Sequence, residues 1–165
     1  MTDCLTLTMQ KQAQTNWCWA AVTSSVANFL SAENPEGALT QCQIACKVLS
    51  VDTCCEDGSS EECNCNSLLE IGLASVGHLN GAPYNGPIAF DSIKAQISAP
   101  YRVPIGVRVS NGTQGHFLLI IGFDDDNDNQ WVDVSDPLYG EATYALTDFA
   151  GAYHGMPWTH SYGIK

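Results

Sequence analysis

The sequence predicts an α+β protein, with helices in its first hundred residues and an antiparallel sheet in the remainder. Three observations point there. Large apolar residues recur at helical spacing after Cys18, with Trp19, Val22, Val26, Phe29 and Leu30 on one face. Two capping-box patterns, Thr40-Gln41-Cys42-Gln43 and Ser67-Leu68-Leu69-Glu70, open further helices. Past residue 100 the period changes: Val103 to Val109 alternates, His116 to Phe123 is almost continuously apolar, and Trp131 to Asp136 alternates again. With 165 residues the chain is read as one domain, 1–165, mainly helical over about 1–100 and mainly β over about 101–165.

Taken in order, Leu5, Leu7 and Met9 alternate with threonines, as in a short strand or extended lead-in. The central helix is expected from about Trp17 to Leu30, with Asn16 as its N-cap and Asn34-Pro35-Glu36-Gly37 as its stop. The helix after Thr40 should run through Val48 and bring Cys42 and Cys46 one turn apart on one face. Cys54 to Cys65 reads as an irregular acidic loop, and the helix after Ser67 as closing at Gly77. Gly81 to Gly86 has the composition of a linker. Asp91 is placed to cap a short helix that turns Ile93 and Ile97 inward. Three strands follow, with a hairpin tip at Asp124–Asn129, and then strands at Tyr144–Leu146 and Trp158–Tyr162.

Composition narrows the function classes. Hydrophobic residues make up 45% and charged residues 15%, as in an ordered globular chain. Eighteen acidic against six basic side chains give a net charge of −12, which repels phosphate backbones and anionic lipid; neither nucleic acid nor a membrane is expected as a partner. No apolar run approaches the roughly 20 residues that cross a bilayer, and Met1-Thr2-Asp3-Cys4 lacks the basic start of a signal peptide. Six cysteines, Cys42, Cys46, Cys54, Cys55, Cys63 and Cys65, crowd one short stretch. Three disulfides are the simplest expectation, with the pairing left open, and imply an exported protein; thiolate ligation of zinc is the alternative. Cys4 is expected to be an unpaired thiol and Cys18 to be free.

Cys18 sits between Trp17 and Trp19 where the helical pattern begins, and the positive end of a helix dipole favours the thiolate of a cysteine so placed. The spacing Gln12-(five residues)-Cys18-Trp19-Ala20-Ala21 resembles the active-site segment of the papain-like cysteine peptidases. The fuller stretch Asn16-Trp17-Cys18-Trp19-Ala20-Ala21-Val22 is most similar to their small bacterial branch, which includes the avirulence-type effector proteases. The resemblance implies a papain-like fold, in which a helical lobe carrying the active-site helix packs on an antiparallel half-barrel, with the cleft between. It implies that Cys18 is the nucleophile, and that Gln12 and the Cys18 N–H stabilise the oxyanion; Gln10 and Gln14 compete with Gln12 for that role.

A cysteine nucleophile needs a base. Gly115-His116 followed by an apolar strand and Gly122-Phe123 resembles the way the family presents its catalytic histidine, so His116 is the candidate, against the alternative of a core histidine. His78, His154 and His160 read as surface or structural. The base needs an acceptor on its other nitrogen. The small bacterial members end the next strand with Asp-Pro, where papain itself uses asparagine; this selects Asp136, with Asp133 on the opposite strand face as second choice and a plain turn at Asp136-Pro137 as the alternative. The acidic run at Asp124–Asn129 lacks the glycine and distant glutamate of a calcium loop and reads as a solvated tip. Together these readings give a secreted, monomeric thiol endopeptidase that needs no cofactor or metal. Its expected substrate is a protein or peptide, and the effector resemblance implies a target in a host or competitor cell. The alternatives are an amidase or acyltransferase on cell-wall or isopeptide linkages using the same triad, and a non-catalytic, disulfide-stapled binding module.

Overall fold

The computed structural model describes residues 1–33, 38–126 and 129–165. Its elements alternate in the α+β manner. Strand β1 (Thr2–Cys4) is followed by helices α1 (Cys18–Leu30), α2 (Gln41–Leu49) and α3 (Leu69–Ser75). Strand β2 (Tyr84–Asn85) and helix α4 (Phe90–Ile97) lead into strands β3 (Ile105–Ser110), β4 (Gly115–Asp126), β5 (Asn129–Asp136) and β6 (Gly140–Ala145). Helix α5 (Leu146–Ala152) and strand β7 (Trp158–Tyr162) complete the order.

Among the described residues the strands form a single antiparallel sheet in the order β2-β7-β3-β4-β5-β6, with β1 paired to the far half of β4. The long strand β4 is the spine. Its first half pairs with β3, so that His116 lies opposite Val109, and its length from Leu119 to Asp126 pairs with β5. The β4–β5 register shifts between Ile120 and Gly122. Gly122 is required there, because a Cβ would fall 2.5 Å from a carboxylate oxygen of Asp133 and 2.9 Å from the Cys4 sulfur.

Helix α1 runs through the middle of the molecule, packed on β4, α2 and α3, and every residue from Cys18 to Ala27 is buried. A helix buried on all sides must dispose of its polar side chains. Thr23 and Ser25 do so by donating to the carbonyls of Trp19 and Ala21, both at 2.7 Å. Trp17, Trp19 and Trp158 are core residues, whereas Trp131 is exposed.

Several local expectations give way to longer-range contacts. Helix α1 starts at Cys18 with Trp17 in the cap position and no side-chain cap, because Asn16 is engaged by the cysteine-rich loop. The expected stop at Asn34–Gly37 lies outside the described residues, as do Asn127 and Asp128 of the hairpin tip. The Thr40 capping box forms as read and α2 reaches Leu49, but the Ser67 box does not: Leu68 caps α3 without a side-chain bond. Gly81–Gly86 is not merely a linker, since β2 pairs there with β7. Ala89, not Asp91, caps α4, although Ile93 and Ile97 are fully buried as expected. Leu146 begins α5 rather than ending a strand, which buries Phe149.

The disulfide expectation is corrected in number. Two bridges form, Cys42–Cys55 and Cys54–Cys63, while Cys46 and Cys65 remain thiols along with Cys4 and Cys18. Adjacent Cys54 and Cys55 bridge to different partners, which ties α2 and the Cys63 segment to one point. The Cys65 thiol is turned to the carbonyl of Glu61 at 2.9 Å rather than to another sulfur.

Candidate active site

The structure brings Cys18, His116 and Gln12 to the wall of one cleft of about 640 Å³, with Asp136 directly behind the histidine. Cys18 and His116 come from different halves of the chain, and the contact of α1 with β4 joins them. The Cys18 side chain acts directly on the His116 imidazole and favours its proton. On its other side, His116 Nε2 donates to the Asp136 carboxylate, at 2.8 and 2.9 Å from its two oxygens. Nucleophile, base and acceptor thus stand in line, and both ring positions of the histidine are fixed.

Asp136 is almost wholly buried and saturated with donors. The N–H groups of Leu138 (2.6 Å) and Tyr139 (2.9 Å) reach Oδ1, and the Tyr153 hydroxyl donates to Oδ2 at 2.9 Å. The second-choice residue, Asp133, instead accepts from Thr143 on β6, away from the imidazole. Nothing in the sequence signals Tyr153, which follows the unforeseen α5. Tyr139 packs edge-on against His116 and stacks on His154, so the latter belongs to the wall behind the site.

The segment before the nucleophile is clamped from three directions. The Gln12 N–H donates to the Pro137 carbonyl at 2.9 Å, tying it to the strand end that carries Asp136. The buried Gln41 side chain accepts from Ala13 N and donates to Lys11 O, both at 2.9 Å. The third clamp is the cysteine-rich loop. Asn64 takes the Asn16 N–H on its side chain (3.0 Å) and the Asn16 side chain on its carbonyl (2.8 Å), and donates to Thr15 Oγ1 (2.8 Å). The Trp17 and Trp19 indoles donate to the carbonyls of Cys63 and Cys65 at 2.7 and 3.1 Å. The loop therefore supplies no reacting side chain but holds the backbone on both sides of Cys18.

Gln12, not Gln14, lines the cleft. Its Nε2 donates to the carbonyls of Gln14 (3.0 Å) and Thr15 (2.9 Å), while Oε1 is buried without a partner. The amide is held at the cleft wall in one orientation, since exchanging its N and O would set oxygen against two carbonyls.

Burial alone lowers the proton affinity of His116. The hydrogen bond to Asp136, that to Cys18 and the Asp136 charge outweigh it and push the pKa up to about 9 from 6.5. Burial likewise raises Asp136, but the hydrogen bond and charge of His116 and the Tyr139 and Leu138 N–H groups hold it below the usual carboxylate range. A histidine whose pKa is raised on folding contributes stability in full below the unfolded value and loses it as pH rises through the folded one. Stability from this group should hold up to about pH 6.5 and fall away toward about pH 9. Urea midpoints measured across that window should decline more steeply for the wild type than for His116→Gln. Parallel curves would show that the imidazole's surroundings are not those described. The depressed Asp136 acts at the opposite end, its contribution being lost as pH falls below the ordinary carboxylate range.

Known proteins resemble this chain in family and in fold. Residues 1–154 match the family described as papain-like cysteine protease AvrRpt2. No curated protein sequence matches the chain. Among solved structures it is similar to digestive procathepsin L 3 of the Tenebrio molitor larval midgut, with a TM-score of 0.58 and 12% identity over 97% of this chain and 66% of that one. It is also similar to a double glycine motif protease from an AMS/PCAT transporter in complex with the leader peptide (TM-score 0.54, 14% identity, 95% and 94% covered). A mite-allergen structure from work on Blo t 1 and Der p 1 gives a TM-score of 0.59 at 9% identity, covering 96% and 67%. At such identities the likeness is one of fold, and the fold is papain-like. The chain spans about two thirds of the procathepsin's length.

Proposed function

The chain belongs to the papain-like cysteine protease AvrRpt2 family, and from that premise we propose that it is an endopeptidase working through Cys18, His116 and Asp136. The single observation that carries the assignment of roles is His116, which shares the cleft wall with Cys18, interacts with it, and is hydrogen-bonded to a buried carboxylate.

The chemistry follows from that line of groups. With the proton on His116, Cys18 is a thiolate and attacks the peptide carbonyl carbon; the carbonyl electron pair moves to oxygen. The Cys18 N–H and Gln12 Nε2 receive that oxyanion. The first is available because the opening N–H groups of a helix have no intrahelical partner. The second has to give up one of its two carbonyl contacts. The tetrahedral species collapses, the C–N bond breaks, and His116 gives its proton to the departing amine. Water then attacks the thioester, His116 takes the water proton, and the C–S bond breaks to free the acid and restore the ion pair. Asp136 stays ionised and keeps the imidazole upright.

Removing one oxyanion donor should be felt mainly in turnover. Gln12→Ala is expected to lower kcat by about 100- to 1000-fold with little change in KM, read by steady-state hydrolysis of a peptide substrate. An unchanged kcat would remove Gln12 from the mechanism. Gln14→Ala, its side chain outside the cleft, serves as the comparison.

The assignment as a whole is tested by an epoxysuccinyl thiol-protease inhibitor followed by mass mapping. Cys18 should be modified ahead of the thiols Cys4, Cys46 and Cys65, and His116→Ala should abolish that selectivity. Indiscriminate labelling, with Cys4 first, would sink it. The two disulfides suit an oxidising compartment. We read the protein as one exported from its producing cell, with a protein of a host or competitor as substrate.

A further inference from the structure

The cleft differs in charge from the rest of the molecule. The chain carries 18 acidic and six basic side chains, yet among the described residues no aspartate or glutamate lines the cleft, and Arg108 is its one lysine or arginine. Resting on the peptidase reading, we infer that Arg108 is a specificity-determining residue that selects substrates bearing an acidic side chain close to the scissile bond.

Its position supports the role. Arg108 lies on β3 opposite Phe117, the residue that follows His116 on β4. Its guanidinium rests against the backbone of Gly115, the residue that precedes His116. A Cβ added to Gly115 would sit 3.3 Å from Nε and 3.4 Å from a terminal nitrogen, so the missing side chain is what leaves room for the guanidinium beside the catalytic histidine. The arginine is half-buried, which weakens competition from water without removing access to a ligand.

The guanidinium is also uncommitted. Among the described residues it takes part in none of the ion pairs, which are Lys94 with Asp91 and Asp125, Arg102 with Asp3, and His116 with Asp136. Glu70 and Arg108 both act on the Tyr162 phenol, and among the described residues Glu70 forms no ion pair with the arginine. A half-buried fork of donors with no carboxylate of its own is complementary to one supplied by a ligand. The net charge of −12 strengthens the case: an acidic substrate approaches against the field of the whole molecule, so accepting one requires a local cation.

The test uses peptide pairs identical except for Glu or Gln, walked through each position around the cleaved bond. Wild type should favour Glu by about tenfold or more in kcat/KM at one position, the scale of a charge-assisted hydrogen bond. Arg108→Gln should bring that ratio close to one, and Arg108→Glu should turn it toward Lys-containing peptides. Wild-type ratios near one everywhere, or a ratio unmoved by Arg108→Gln, would overturn the inference; should the variants not fold, the wild-type ratio alone decides. A second readout needs no turnover: the same peptides should slow iodoacetamide labelling of Cys18, Glu more than Gln. Cleavage without a Glu preference sinks the role of Arg108 and leaves the peptidase. Glu-selective protection without cleavage does the reverse, and neither protection nor cleavage sinks both.

Discussion

Cys18→Ala is expected to abolish peptide hydrolysis, lowering kcat by about a million-fold, while leaving the protein folded. The size of the effect follows from covalent catalysis: without the sulfur there is no acyl-enzyme, and neither His116 nor the oxyanion donors have an attacking atom to serve. What survives is binding and polarisation of the carbonyl, which is a small remainder. The fold should tolerate the change because the side chain is short, sits in the first turn of α1, and leaves its one polar partner still anchored by Asp136. Cys18→Ser should be almost as inactive, since an imidazole poised for a thiol does not ionise an alcohol to a comparable extent. Turnover and thermal midpoint measured on the same samples separate the two effects. A variant that keeps more than about a thousandth of wild-type kcat would remove Cys18 from its role.

The residues proposed to react were legible in the sequence because each announces itself locally. Cys18 stands at the head of a helical pattern, His116 between a glycine-rich loop and an apolar run, and Asp136 where an alternating strand meets proline. The supports were not legible, because each is a contact across tens of residues. Asn16 has the side chain of an N-cap, and read by itself it belongs to α1. Asn64, 48 residues on, instead takes the Asn16 backbone N–H on its side chain and the Asn16 amide N–H on its carbonyl, and the helix starts at Cys18. Cysteine spacing marked a staple but not its extent, since pairing depends on where α2 and the Cys63 loop are brought together. Arg108 sits in a strand of alternating residues, and alternation says only that its side chain leaves the core. That it leaves toward the cleft depends on β3 lying beside β4.

Asp136→Ala is expected to lower kcat by about 1000- to 10,000-fold and, unlike Cys18→Ala, to destabilise the fold by about 3–5 kcal/mol. The carboxylate is the common acceptor for His116 Nε2, the N–H groups of Leu138 and Tyr139, and the Tyr153 hydroxyl. Removing it strands four donors, one of them a buried imidazolium, and water cannot replace it in a site this closed. Asparagine should do far less harm. Its amide oxygen still accepts from the two backbone N–H groups, and papain itself carries asparagine in this role. What asparagine removes is charge. The Asp136 carboxylate, together with Cys18, outweighs burial in raising His116 to about 9, so in Asp136→Asn the imidazole should release its proton at lower pH. The alkaline limb of kcat/KM against pH should therefore move down, with the plateau only modestly lowered. Stability that the wild type keeps up to pH 6.5 and loses toward 9 should lose its pH dependence in that window. An alanine variant with a wild-type melting point, or an asparagine variant with an unmoved alkaline limb, would mean that Asp136 is a turn residue and the imidazole takes its charge from elsewhere.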